Sequence, residues 1–202
     1  MLLQSNHLLI KRFAFTLCLW PIFSICFHIL NNNLGANPVE FIVRHFGKWS
    51  LIFLCLTLSM SPLRRFTKIT QWILYRRMLG LFVFFYTTVH LFCYIGIDYH
   101  FDWVEIKNDI VEHRFVLVGF LGWVLLIPLA LTSSEKMIRR LKANWKKLHR
   151  LIYVIAILGA LHFIWLVKKD ITEPFIYILI ILILLLCRIR ISKTNLKNKK
   201  LV

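Results

Sequence analysis

Much of this chain is apolar enough to lie in lipid, and a polar group placed there without a partner costs several kcal/mol. Its chemistry is therefore to be sought in the polar residues inside the apolar runs. Two histidines stand out, His90 inside the run 78–97 and His162 inside the run 151–167. His90 follows Arg77 by thirteen residues, and His162 follows His149 by the same number. At 1.5 Å per helical residue, both lie roughly 20 Å from the basic end of their helices. Two imidazoles at one depth on parallel helices can face each other across a flat macrocycle and give its iron both axial ligands. For either histidine alone, the alternative is a hydrogen bond to a neighbouring helix or to interfacial water. The matched depth favours heme, and without a C-x-x-C-H motif it would be b-type. Zinc or copper would need further ligands at that depth, where only Cys93, one turn from His90, is near.

His149, in Trp145-Lys-Lys-Leu-His149-Arg150, is a third candidate ligand. A second heme there would give a stepwise electron path of about 20 Å across the membrane. Its partner is the difficulty, because the third span carries Arg76 and Arg77 at that level. Thirteen residues at about 100° each also leave His149 and His162 on nearly opposite faces of an ideal helix. Either a π-bulge corrects the phase or the two face different neighbours; an interfacial place in a basic loop is the alternative. Arg64, Arg65, Arg76 and Arg77 are topology signals first, yet such a cluster can also hold heme propionates or a flavin phosphate. Gly80, Gly119, Gly122 and Gly159 lie within spans, where close helix packing is the default and room for a porphyrin face the alternative. His7, His28, His45, His100 and His113 read as interfacial, with His45 outside the second span.

These residues need helices to position them. The chain has 202 residues, 59% hydrophobic, with only 7 Gly and 5 Pro, and its mean hydropathy is +0.70. That is more apolar surface than one soluble core of this size buries, so the chain reads as an all-α membrane protein. Five cysteines, odd in number and not closely paired, exclude a disulfide-stapled secreted domain. Apolar runs at 13–30, 49–63, 78–97, 115–132, 151–167 and 175–187 predict a bundle of six transmembrane helices. The second and sixth are short for a hydrocarbon core of about 30 Å, so flanking Lys and Arg should snorkel. The first run, with a kink at Pro21, is too long for a cleaved signal peptide.

The net charge of +17 points to membrane topology rather than to nucleic acid. Lys11 and Arg12, the cations of 62–77, those of 133–150 and those from Arg188 onward fall on one side if six spans alternate. That side is cytoplasmic by the positive-inside rule, and both termini lie there. Of the nine carboxylates, all except Glu135 face the other way. The chain divides into a cytoplasmic leader 1–12, a membrane domain 13–187 and a basic tail 188–202, too short to carry a nucleotide-binding domain.

The strings Leu34-Gly-Ala-Asn-Pro-Val-Glu-Phe-Ile42, Ser61-Pro-Leu-Arg-Arg65, Arg76-Arg-Met-Leu-Gly-Leu81, Phe85-Tyr86 ahead of His90, Trp145-x-x-Leu-His-Arg-Leu-x-Tyr153 and Leu161-His-Phe-x-Trp-x-Val-Lys168 together resemble a known family. It is that of the heme-binding membrane subunits of bacterial periplasmic methionine sulfoxide reductase systems. The resemblance runs from about residue 34 to 174. It implies a ferric-reductase-like transmembrane domain in the bacterial inner membrane, with one or two b-type hemes and FMN. Electrons would come from the quinone pool or a cytoplasmic flavin reductase. They would pass to MsrP, a periplasmic molybdopterin enzyme that reduces methionine sulfoxide in oxidised envelope proteins. Carried over residue by residue, the family's heme ligands fall on His90, His149 and His162; its flavin site cannot be placed.

The sulfoxide chemistry itself would belong to the partner, for which the acidic connection from Asp98 to Glu112 offers a docking surface. Two other readings compete. One is a transmembrane reductase of a different outside acceptor such as ferric iron, and the other is a non-redox transporter or assembly factor with proton-relay histidines.

Overall fold

The computed structural model describes the backbone of residues 2–167 and 170–200 and the side chains of 9–167 and 170–188. His7, Lys168 and the tail cations beyond Arg188 lie outside the described side chains. Every regular element among the described residues is helical. Backbone donors in hydrocarbon must be satisfied within their own segment, and a helix does so.

The first apolar run is one membrane-length stretch, Leu9–Leu30, whose helix is interrupted at a single residue beside the expected Pro21 kink. α1 spans Leu2–Cys18 and α2 spans Trp20–Leu30. Pro21 has no N–H, and the turn before it tightens, with Leu19 N bonding Thr16 O at 3.1 Å and Ile22 N bonding Leu19 O at 3.0 Å. The Cys18 carbonyl, which Ile22 would otherwise satisfy, is taken by the Tyr86 hydroxyl at 2.7 Å. Tyr86 is fully buried, so one bond repairs the break and docks the N-terminal helices.

α3 (Pro38–Thr67) is thirty residues long. Asn37 caps it by accepting from Glu40 N at 3.2 Å, Pro38 occupies the first turn, and Lys68 ends it in the left-handed region at φ 59°. The expected short second span is thus far longer than 49–63, and His45 lies inside it rather than beyond it. Asn37, Pro38 and Glu40 are polar or helix-breaking by composition, so they masked a start signal as loop. α4 (Trp72–Cys93) runs back along α3 and continues as one π-helical turn, Tyr94–Asp98. Between the two helices Phe53 stacks on Tyr86 at 5.2 Å and on Phe82 at 5.6 Å, a column buried together with Leu54, Leu58 and Val83.

The acidic connection is also ordered. It carries α5 (Trp103–Glu112), capped by Asp102, whose Oδ1 accepts from Val104 N and Glu105 N. Asp109 ties it to the π-turn by accepting from the Tyr94 hydroxyl at 2.6 Å and pairs with His113 at 2.9 Å. α6 (Arg114–Leu131) follows directly. The basic connection folds as α7 (Glu135–Leu141) and α8 (Ala143–Leu148), and a turn at His149 and Arg150 leads into α9 (Leu151–Leu166). α10 (Thr172–Lys200) packs against α3 and α9.

Among the described residues five stretches are long and apolar enough to cross a membrane: Leu9–Leu30, Pro38–Thr67, Trp72–Asp98, Arg114–Leu131 and Ala143–Leu166. Removing the Tyr86 hydroxyl should leave the Cys18 carbonyl unpaired in an apolar site. Tyr86→Phe is expected to cost about 1–2 kcal/mol, read as a lower thermal midpoint in detergent. In a Pro21→Ala background, where Ile22 N can return to Cys18 O, the same change should cost measurably less.

Candidate functional site

His90 sits near the end of α4 and His162 near the end of α9, and the fold brings their rings together with centroids 6.1 Å apart. The ring planes are nearly perpendicular, at 80°. Each imidazole is anchored through Nδ1 to a main-chain carbonyl of the adjacent helix: His90 to Val43 O at 2.9 Å, and His162 to Phe115 O at 2.7 Å. A carbonyl only accepts, so Nδ1 carries the proton in both rings. Nε2 is then the unprotonated nitrogen, with its lone pair available to a metal.

Glycine makes each anchor accessible. On a helix, the carbonyl at i−4 lies beside the side chain at i, and in both cases residue i is Gly. A Cβ on Gly47 would stand 3.1 Å from His90 Cε1, and one on Gly119 only 2.7 Å from His162 Nδ1. The two halves repeat each other: Val43, Gly47 and His90 on α3 and α4 recur seventy-two positions later as Phe115, Gly119 and His162 on α6 and α9. Gly119 was visible in the sequence as a small residue within a span. Gly47 was missed, although the matching separation of Gly47 from His90 and Gly119 from His162 was a signal that could have found it. Trp123 Nε1 donates to Thr88 Oγ1 at 3.0 Å, pinning α6 to α4 two residues from His90.

His149 does not join this pair. It caps α8 and stacks on Trp145 at 4.0 Å, with Nδ1 3.2 Å from Trp145 O. The turn at His149 and Arg150 separates α8 from α9. Of the four arginines, Arg64 and Arg65 are exposed and Arg77 faces Glu135 at 3.5 Å. Arg76 alone turns inward, its Nη1 3.5 Å from the Ser61 hydroxyl. Arg188, which sequence reasoning counted only as a tail charge, is buried at the same end of the bundle. Elsewhere His45 bonds Pro21 O at 3.0 Å, and His28 lies edge-on to Phe41.

The family model described as "Ferric reductase like transmembrane component" matches residues 46–160, from the residue before Gly47 to two residues short of His162. The protein-methionine-sulfoxide reductase heme-binding subunit MsrQ of Herminiimonas arsenicoxydans is 46% identical over 184 residues, covering 90% of this chain and 84% of that protein. The subunit of the same name from Xanthomonas oryzae pv. oryzae (strain MAFF 311018) is 49% identical over 155 residues, 77% of this chain and 71% of its own length. This chain belongs to the MsrQ family. Membership places it among the ferric-reductase-like transmembrane proteins, in agreement with its all-helical, multi-pass build. No solved structure matches the chain.

The glycines test how rigidly an MsrQ-family bundle fixes its two imidazoles. Gly119→Ala should destabilise by about 1–3 kcal/mol, because the new methyl meets a ring already held by its carbonyl. Gly47→Ala should cost less, its contact being 0.4 Å looser. Thermal unfolding of both variants in one detergent checks the order.

Proposed function

We propose that His90 and His162 are the two axial ligands of a b-type heme, and that the chain carries electrons across the membrane to a periplasmic methionine sulfoxide reductase. The observation that supports this most is the imidazole pair itself. Two rings ligating one metal through bonds of about 2.0 Å have their centres roughly 6 Å apart, close to the 6.1 Å seen here. Each ring also has its Nδ1 proton fixed on a carbonyl, an arrangement that orients a ligand histidine and raises its basicity. No group of three or more His, Cys, Asp or Glu that could hold a metal ion occurs among the described residues. A two-histidine site therefore wants a metal whose other positions come with the ligand, as in a porphyrin. The names of the MsrQ relatives as heme-binding subunits point the same way.

Bound heme supplies one-electron chemistry, so two passages serve each two-electron sulfoxide reduction. The protein's own part is positional. The carbonyl bonds hold both imidazoles at one depth and in one tautomer, and Gly47 and Gly119 keep the ring faces clear. His149 is the candidate ligand of a second heme near the basic end, with Arg76 as its charged neighbour. Counting α10 as the sixth span, the positive-inside distribution puts both termini in the cytoplasm and the complex in the bacterial inner membrane. FMN, and a donor that is either the quinone pool or a cytoplasmic flavin reductase, complete this reading on the basic side; the periplasmic acceptor is MsrP.

Heme content per chain is the test, by pyridine hemochrome and reduced-minus-oxidised spectra. His90→Ala and His162→Ala should each lose the same b-type heme. A separate loss in His149→Ala would assign an inner site. A colourless wild type after heme supplementation would sink the electron-transfer reading in favour of a transporter or assembly role. The docking of MsrP is tested on α5. Asp102 and Asp109 are committed to structure, while Glu105 and Glu112 are exposed. Glu105→Gln with Glu112→Gln should slow electron delivery severalfold at low salt and flatten its salt dependence; an unchanged rate would remove the acidic helix from the interface.

A further inference from the structure

Arg188 is a charged side chain near the end of α10, where a long cation in lipid ordinarily snorkels toward water. It does the opposite. The residue is 7% exposed and folds between α3 and α9. Nη2 lies 3.4 Å from Thr57 O and 3.2 Å from Ser61 Oγ, Nη1 lies 3.4 Å from the Tyr153 hydroxyl, and the guanidinium carbon sits 5.5 Å from the Tyr153 ring centre. All of these acceptors are neutral and all the bonds are long. Nε is buried with no hydrogen-bond partner.

A second cation meets the same hydroxyl. Arg76 reaches Ser61 Oγ from α4, so two guanidinium groups share one serine. Among the described residues no carboxylate pairs with either: Glu40 pairs with Arg44, Glu173 with Lys48, Asp109 with His113, and Glu135 faces Arg77. His149, which also lies beside Arg76, brings no negative charge, and Tyr153 is the neutral acceptor already named. Two like charges brought together away from water are unfavourable unless an anion joins them. Planar forks converging from two helices match the tetrahedral oxygens of a phosphate, and basic pockets between membrane helices take phosphate headgroups in this way.

We propose that Arg188, Arg76 and Ser61 form a phosphate-binding site at the basic end of the bundle, filled by the phosphate of an anionic lipid or of a soluble phosphate ester. The site stands apart from the His90–His162 pair but beside His149, and its filling by a soluble ester rests on the FMN reading above. Ser61 lies fourteen residues along α3 from Gly47, about 21 Å at helical rise.

The test uses the full-length purified protein in nonionic detergent with two matched pairs of probes. Short-chain phosphatidylglycerol is set against zwitterionic phosphatidylcholine, whose ammonium already covers its phosphate, and FMN is set against riboflavin. Binding is followed by native mass spectrometry and by the thermal midpoint. One anionic probe should bind in preference to its control and be displaced by inorganic phosphate. Preference within the first pair assigns a lipid, and within the second a soluble ester. Arg188→Gln and Arg76→Gln should each weaken that binding about tenfold, the value of one charge-assisted bond. Arg188→Lys, which keeps the charge but loses the fork, should fall between. If Arg188→Gln does not fold, Arg76→Gln and Arg188→Lys carry the comparison. No preference within either pair, or wild-type affinity in the folded variants, overturns the assignment.

Discussion

The site depends on one kind of interaction, the hydrogen bond from an imidazole Nδ1 to a helix carbonyl that already serves its own helix. A carbonyl has two lone pairs, so Val43 O and Phe115 O can each accept a second donor without breaking the helical ladder. Reaching that lone pair requires the neighbouring helix to present no side chain over it. Gly47 and Gly119 meet the requirement, at a cost of up to about 1 kcal/mol each in helix propensity. What is obtained is a histidine whose height, tautomer and free nitrogen are all set by backbone atoms, which cannot change rotamer. Helix pairing is therefore tight where the histidines are, and α3 with α4 and α6 with α9 are the closely packed partners of the bundle.

The repetition of that arrangement explains both what the sequence disclosed and what it hid. His90 and His162 were legible because depth follows from residue count once a run is helical, and both runs are long and apolar. Their closeness was not legible, because parallel direction fixes depth and leaves the lateral arrangement of the helices open. The anchors were not legible. A carbonyl has no sequence signature, and a glycine in a membrane span is usually a packing residue, so Gly119 looked ordinary and Gly47 fell before the expected start of its helix. That start was misplaced because Glu40, Arg44, His45 and Lys48 interrupt the apolar pattern, although Glu40 pairs with Arg44 and Lys48 with Glu173.

Breaks in helices were the other blind spot. Pro21 announced a bend, but not that Ile22 N would turn to Leu19 O and leave the Cys18 carbonyl open. Tyr86, sixty-eight residues away in sequence, takes that carbonyl. No proline marks the break at His149, which is a backbone turn between two short stretches that each read as helical. Among the described residues the one π-turn lies at Tyr94–Asp98, just past His90, where the chain turns into the acidic connection.

The two ends of the bundle handle charge by opposite means. At the acidic end the carboxylates are satisfied within the chain: Asp102 caps a helix, Asp109 takes Tyr94 and His113, and Glu40 and Glu173 have cation partners. Glu105 and Glu112 differ from these in being exposed to solvent. At the basic end the described cations outnumber carboxylates so heavily that Glu135 can serve only Arg77. Exposed arginines such as Arg64 and Arg65 are compensated by water and by anionic headgroups. Arg188 and Arg76 have turned away from that water, and three neutral acceptors do not replace it. The imbalance lies at the end where most of the cations gather, so the same excess of positive charge leaves a buried guanidinium for an external anion to neutralise.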